Sequence, residues 1–227
     1  QTMGAGFDDN GDTNGNPTLL NITMYAMLAV FVMIQIAICW RIFQYVNGIE
    51  YTGATASFLG MTYYTGITGA QLVGAVVSSG IFAGIGIIYG HELAHTKGFS
   101  FLIARWMMGL SGSAHFCYAH VYNHHLELGC ENDPATAPRG RSLYAHLPKS
   151  HFGQSKFLYT MEKQRLKRLG VPFLSWQNRW IRGYAMSLPT IALFWYVGAW
   201  TGMACLGLIW LISNFELEAL NYLEHYG

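Results

Sequence analysis

The distribution of apolar and polar residues along the 227-residue chain is a membrane pattern before it is anything else. Leu19 to Trp40 is uncharged and mostly apolar, and about 20 such residues cross a bilayer as a helix. A second uncharged stretch runs from Tyr51 to Gly90. Within it, Gly69 to Tyr89 predicts a span whose Gly and Ala content permits close helix packing. Tyr51 to Thr68 is too polar and glycine-rich to span, and reads as a loop or re-entrant connection. Phe101 to Tyr118 is apolar but short and carries Arg105 and His115, which predicts a segment that dips into the membrane and returns. Gly183 to Phe215 is uncharged and longer than one crossing needs. Thr201-Gly202 offers a break, dividing the region into spans near 183–199 and 202–225.

Composition agrees: 52% of residues are hydrophobic and only 11% are charged, against about a quarter charged in soluble domains. The fold class expected is therefore all-α, a polytopic transmembrane helical bundle forming one integral-membrane domain over 1–227. Gln1 to Asn16 is acidic and Gly/Asn-rich with no apolar core. It is no signal peptide, and the start at Gln1 suggests a piece of a longer product. Cys39, Cys117, Cys130 and Cys205 show no paired spacing, so neither disulfides nor a thiolate metal site is indicated.

Ten of the thirteen Lys and Arg residues lie between Arg139 and Arg182. By the positive-inside rule this basic loop, 139–182, is cytoplasmic. The span parity then places the histidine clusters on that same face, with Arg41 on the other. Juxtamembrane charge of this kind commonly serves topology or lipid contact. Arg139, Arg141 and the Lys163–Arg168 run could also meet an acidic electron carrier. No nucleic-acid-binding feature is present.

Six of the nine histidines cluster near predicted helix ends: His91 and His95 in "HELAH", His120, His124 and His125 in "HVYNHH", and His225 in "NYLEHYG". Residues four apart share a helix face, and imidazoles beside a bilayer need partners. These six read as metal ligands, whereas His115, His146 and His151 read as packing or surface residues. H-E-x-x-H alone would suggest a zinc protease with Glu92 as general base, but that chemistry leaves the other clusters without a role. Six imidazoles exceed what one zinc takes and favour two metals.

The motifs "HELAHTKG", "HFCYAHVYNHH", "ENDPATAPRGRSLY", "MEKQRLKRLG" and "NYLEHYG" occur in order. Together they resemble the integral-membrane alkane 1-monooxygenase family, related to xylene monooxygenase, within the membrane fatty acid desaturase/hydroxylase superfamily. The resemblance implies a non-haem diiron centre held by His91, His95, His120, His124, His125 and His225. It further implies O₂ as co-substrate, an apolar substrate hydroxylated at a terminal C–H bond, and a rubredoxin-type electron donor. Glu92, Asp133 and Glu224 would support the ligands from behind, at a site on the cytoplasmic face of an inner or plasma membrane, in a chain that could belong to an oligomer or larger membrane assembly. Three departures stand out: Ala119 replaces the family's Glu, Asn123 its Gly, and Thr96 precedes the Lys of the first box. The family also carries a further histidine box downstream and extra helices upstream, so the chain resembles its central portion. Alternatives are a fatty-acid desaturase or lipid hydroxylase, whose second box usually has H-x-x-H-H spacing, a structural subunit derived from this family, and the zinc protease.

Overall fold

The computed structural model describes residues 17–58, 60–124, 130 and 133–226. Helix α1 covers Pro17–Val46 and α2 covers Gly69–Ala94. Both contain the expected spans and extend past them, through Arg41 in α1 and Glu92 in α2, because a charged residue at the end of a span does not stop a helix. Thr68 caps α2: its side chain accepts from the Gln71 N–H while the Gln71 side chain accepts from the Thr68 N–H, so two otherwise orphaned donors are satisfied reciprocally. The helix runs through His91 and Glu92, and His95 is its C-terminal cap.

Between these helices the expected loop or re-entrant connection is an antiparallel hairpin. Strands β1 (Thr55–Phe58) and β2 (Met61–Tyr64) pair Thr55 with Tyr64 and Ser57 with Thr62. Thr and Tyr favour strand geometry, and Gly60 at φ 78° lets the chain reverse. Arg41 donates to the Tyr64 carbonyl at 3.0 Å, tying the hairpin to the end of α1.

The segment predicted to dip is a helix α3, Phe99–Leu110, a turn at Ser111–Ser113, and a short α4, Phe116–Ala119, which runs into a π-helical turn at His120–His124. The sequence 139–182, expected as a loop, contains helix α5, Leu143–Arg168, and the start of helix α6, Arg179–Ala185. Its hydropathy is too low to mark a span, yet Ser142 caps α5 and Asn178 caps α6 through their side chains. Local capping rather than apolarity is the signal that defines these two helices.

Helix α7, Leu188–Glu224, has 37 residues and is broken at Ala199, where φ is 44° and ψ is −126°. The Ser187 hydroxyl donates to the Gly109 carbonyl at 2.6 Å, and the Trp210 indole donates to the Leu110 carbonyl at 2.8 Å. Residues 187 and 210 thus meet the same end of α3, although a straight helix would separate them by roughly 35 Å. The chain therefore reverses at Ala199, two residues before the break expected at Thr201-Gly202. Gly202 makes the reversal possible, since any Cβ there would strike the Phe194 carbonyl oxygen.

By length and composition, Thr18–Val46, Gly69–Ala94 and the region Arg179–Glu224 are apolar enough to cross a bilayer. Their outward faces carry large apolar side chains such as Met33, Phe82, Tyr196 and Trp200, as a lipid-facing bundle requires. One buried cluster joins Phe31, Ile42, Val76, Phe194 and Leu206. A second, toward the other end, joins Ile87, Leu93, Ala94, Ala104, Met107, Phe116 and Leu217 from four different helices.

The reversal yields a prediction. Replacing Gly202 with Ala should destabilise the protein by about 2 kcal/mol through overpacking, whereas a Cβ at Gly207 meets nothing within 4 Å. Thermal melts in detergent should show a lower Tm for Gly202→Ala and an unchanged one for Gly207→Ala.

Candidate metal centre

The second buried cluster holds the last turn of α2, α3, α4 and the returning arm of α7 against one another, and the histidines project from it. Gly90, immediately before His91, packs against the side chains of Met107 and Met108, with the Ala104 carbonyl oxygen 3.6 Å from where a Cβ would sit. Phe116 is buried and stacks on the His120 ring at 4.8 Å between centroids, while its edge contact with His91 is 5.9 Å. That one aromatic side chain fixes two imidazoles from different elements.

The result is a convergence of ring nitrogens. His91 Nε2 lies 2.8 Å from His120 Nε2 and 3.3 Å from His95 Nε2, and ligand atoms of all three lie within 4.8 Å of one another. A ring nitrogen carries either one in-plane lone pair or one hydrogen. His91 Nε2 can therefore satisfy only one of these neighbours by hydrogen bonding. A cation at about 2.1 Å from each nitrogen would satisfy both, since ligands at right angles then stand roughly 3.0 Å apart. The three residues fit a metal ion on donor chemistry and on spacing alike.

Electrostatics point the same way. Burial lowers the His95 pKa, with the Glu92 carboxylate partly opposing it, so the ring is neutral near pH 7, the form that ligates metal. Glu92 Oε1 stands 3.5 Å from His91 Nδ1, on the side of the ring away from the cluster, where a carboxylate can orient an imidazole and raise its basicity.

The remaining expected residues are placed differently. His225 caps α7, and its carbonyl accepts from the Ala137 N–H at 3.0 Å. Its Nε2 is 3.7 Å from Glu224 Oε2, and it stands outside the group of three. Asp133 is buried and accepts from the Ala135 N–H at 3.1 Å and the Thr136 hydroxyl at 2.6 Å, holding the turn that leads to Ala137. The backbone of His124 belongs to the π-helical turn rather than to the α-helix that i,i+4 spacing suggested. Its side chain, and His125 altogether, lie outside the described residues.

Two buried features were not anticipated. Glu162 is fully buried within the basic stretch. It accepts from Arg165 at 2.8 and 2.7 Å and from the Arg179 backbone N–H at 2.8 Å. Arg179 in turn lies over the rings of Tyr118 and Tyr122, 5.6 Å from each centroid, and those residues flank His120. Burial alone would raise the Glu162 pKa, but the Arg165 hydrogen bond, the Arg179 N–H and both guanidinium charges outweigh it and hold the pKa below 4.5. The second feature is a polar layer in which Gln154 donates to Glu218 at 3.1 Å and Asn221 donates to it at 3.2 Å, with His151 Nδ1 at 3.9 Å. Expected to be packing or surface residues, His115 and His146 are indeed buried, and His115 faces His151 at 4.8 Å between ring centroids.

Comparison with known proteins matches this architecture to one class. The model of the fatty acid desaturase family covers residues 68–227, and the chain belongs to that family. Within it, the chain is similar to curated alkane 1-monooxygenases. It is 35% identical over 162 residues to alkane 1-monooxygenase 2 of Pseudomonas aeruginosa, covering 68% of this chain and 42% of that protein. It is 30% identical over 201 residues to alkane 1-monooxygenase of Acinetobacter baylyi, covering 81% and 48%. The chain thus spans less than half the length of these relatives and corresponds to the central portion of that family.

Glu162 provides the prediction for this region. Glu162→Gln leaves two guanidinium groups without their shared carboxylate and should cost roughly 3 kcal/mol or more, read as a fall in Tm. Because the folded pKa is depressed, the stabilisation is present above the unfolded value near 4.5 and is lost as pH falls through the lower folded pKa. The wild-type Tm should therefore drop on acidification below about pH 4.5, and the Tm gap to Glu162→Gln should narrow over the same interval.

Proposed function

We propose that this chain forms the core of a non-haem diiron membrane monooxygenase that hydroxylates a terminal C–H bond of an alkane or similar apolar chain. The reaction uses O₂ and electrons from a rubredoxin-type carrier. The observation that carries this reading is the approach of three imidazole nitrogens, from the end of α2 and from the π-helical turn after α4, to one point. Family membership and the names of the relatives support it.

In this reading His91, His95 and His120 hold iron directly. His124, His125 and His225 complete the ligand set, with Glu92, Asp133 and Glu224 supporting them. Bound iron supplies the electron transfer that O₂ activation needs and zinc cannot provide, since zinc has no redox chemistry. The chain's own residues do the rest. Glu92 orients His91 through Nδ1, Phe116 fixes the planes of His91 and His120, and the apolar cluster beneath them keeps water from the reacting end of the substrate.

The site faces the cytoplasm in this account. Arg141 and Gly140 meet Tyr222 and Tyr226 through hydrogen bonds of 2.8 and 2.9 Å, and Arg179 covers the tyrosines beside His120. Both contacts put the basic stretch at the histidine end of the bundle, which the positive-inside rule assigns to the cytoplasm. Exposed Lys163, Lys167 and Arg168 on α5 offer the acidic carrier a surface on that side.

The full-length protein, purified with iron and supplied with O₂ and reduced rubredoxin, should convert an n-alkane to the primary alcohol. His120→Ala should lose about 100-fold or more of that activity together with most of its iron, since even residues behind the ligands commonly govern 10- to 100-fold effects. One zinc per chain with no alcohol formed would refute the assignment. A desaturated or hydroxylated acyl chain in place of the alkanol would move the protein to the other branch of its family.

A further inference from the structure

Helix α4 ends at Ala119 and the π-helical turn begins at His120. π-Helical geometry is rare and occurs mostly as single turns, so the turn that carries His120 needs support from outside itself. Tyr118 in α4 and Tyr122 in the π-helical turn stand on either side of this junction, with ring centroids 6.3 Å apart and planes 9° from parallel. The Arg179 guanidinium Cζ lies 5.6 Å from the centroid of each ring. One cation thus joins the two elements across His120, the residue where they meet. Arg179 is itself fixed at the start of α6. The Asn178 side chain accepts from the Trp180 and Ile181 N–H groups and donates to the Phe173 carbonyl. The fully buried Glu162 carboxylate on α5 accepts from the Arg179 backbone N–H at 2.8 Å and stands 3.9 Å from Arg179 Nη1. Arg105 on α3 lies over Tyr118 at 5.5 Å, which secures the α4 side of the junction.

We propose that Arg179, anchored by Glu162, is a positioning residue of the metal centre: by clamping Tyr118 and Tyr122 it holds the π-helical turn in the conformation that directs the His120 imidazole at His91 and His95. The inference rests on reading His120 as a metal ligand. A clamp and a charge act in opposite directions here. A cation beside the site repels a metal ion, so by charge alone the loss of Arg179 would tighten metal binding. Loss of a clamp weakens it, because apparent affinity falls in proportion to the fraction of molecules whose turn keeps the ligating conformation. A cation–ring contact at a partly buried site contributes several-fold, so the loss of two sets the expected weakening at about tenfold.

Chelator-treated full-length protein in detergent is titrated with Co²⁺, and the visible absorption of the bound ion is followed. His120→Ala identifies the component that depends on this ligand. In Arg179→Met that component should half-saturate at about tenfold higher Co²⁺. Tyr122→Leu, which leaves the contacts between Arg179 and Glu162 in place, should weaken it likewise, whereas Tyr122→Phe, which keeps the ring, should not. The two Tyr122 variants decide the question should Arg179→Met not fold. Unchanged or tighter Co²⁺ binding in Arg179→Met, or equal binding by Tyr122→Leu and Tyr122→Phe, would overturn the inference. If His120→Ala leaves the whole titration unaltered, the reading of His120 as a ligand fails and the clamp with it. A component that needs His120 but is indifferent to Arg179 and Tyr122 removes the clamp alone. Because no turnover is measured, failure to oxidise an alkane concerns the proposed function and not this contact.

Discussion

The packing of Leu93, Ala104, Met107 and Phe116 from three helices, joined by Leu217 from a fourth, is the contact on which the rest of the structure depends. Helices in a bilayer gain little from burying apolar surface against one another, because lipid is equally apolar, so association rests on close van der Waals fit. Gly90 permits that fit where α3 meets α2. The same cluster fixes the rotation of α2, which sets the direction of His91 and His95, and seats Phe116, which sets His120. The metal centre is thus a consequence of packing one turn below it.

This arrangement explains why the histidines come from short or irregular pieces rather than from one long helix. Two residues on one α-helical face can supply two ligands, and His91 and His95 are so placed. A third has to come from another element, and α3 and α4 bring the chain back to the end of α2, where His120 meets His91. The π-helical turn at His120–His124 belongs to a type of irregularity that concentrates at functional sites. The arginine and tyrosine layer around Glu162 packs beside His120 through Tyr118 and Tyr122, so that stretch has a buried structural role as well as an exposed face.

Much of this was legible in the residues. Uncharged length located α1, α2 and the paired arms of α7, and the shortness of the apolar run 101–118, with Arg105 and His115 inside it, set it apart from them. The four-residue spacing of His91 and His95 put both on one face. What could not be read was not carried by hydropathy. The hairpin at 55–64 rests on strand pairing within a segment whose composition looks like loop. Helices α5 and α6 are defined by caps and by buried Glu162 and Asn178, not by hydropathy. The reversal sits at Ala199 instead of Thr201-Gly202 because the glycine is needed where the second arm passes the Phe194 carbonyl, just after the turn itself. Asp133 also holds a turn with Ala135 and Thr136, a backbone geometry that spacing does not reveal.

The central claim is that His91, His95 and His120 meet on one metal ion, and locating that ion tests it most directly. Anomalous scattering from iron-loaded protein should place a peak within about 2.1 Å of Nε2 of all three residues. A peak elsewhere, or none at saturating iron with the three rings still in mutual contact, would contradict it.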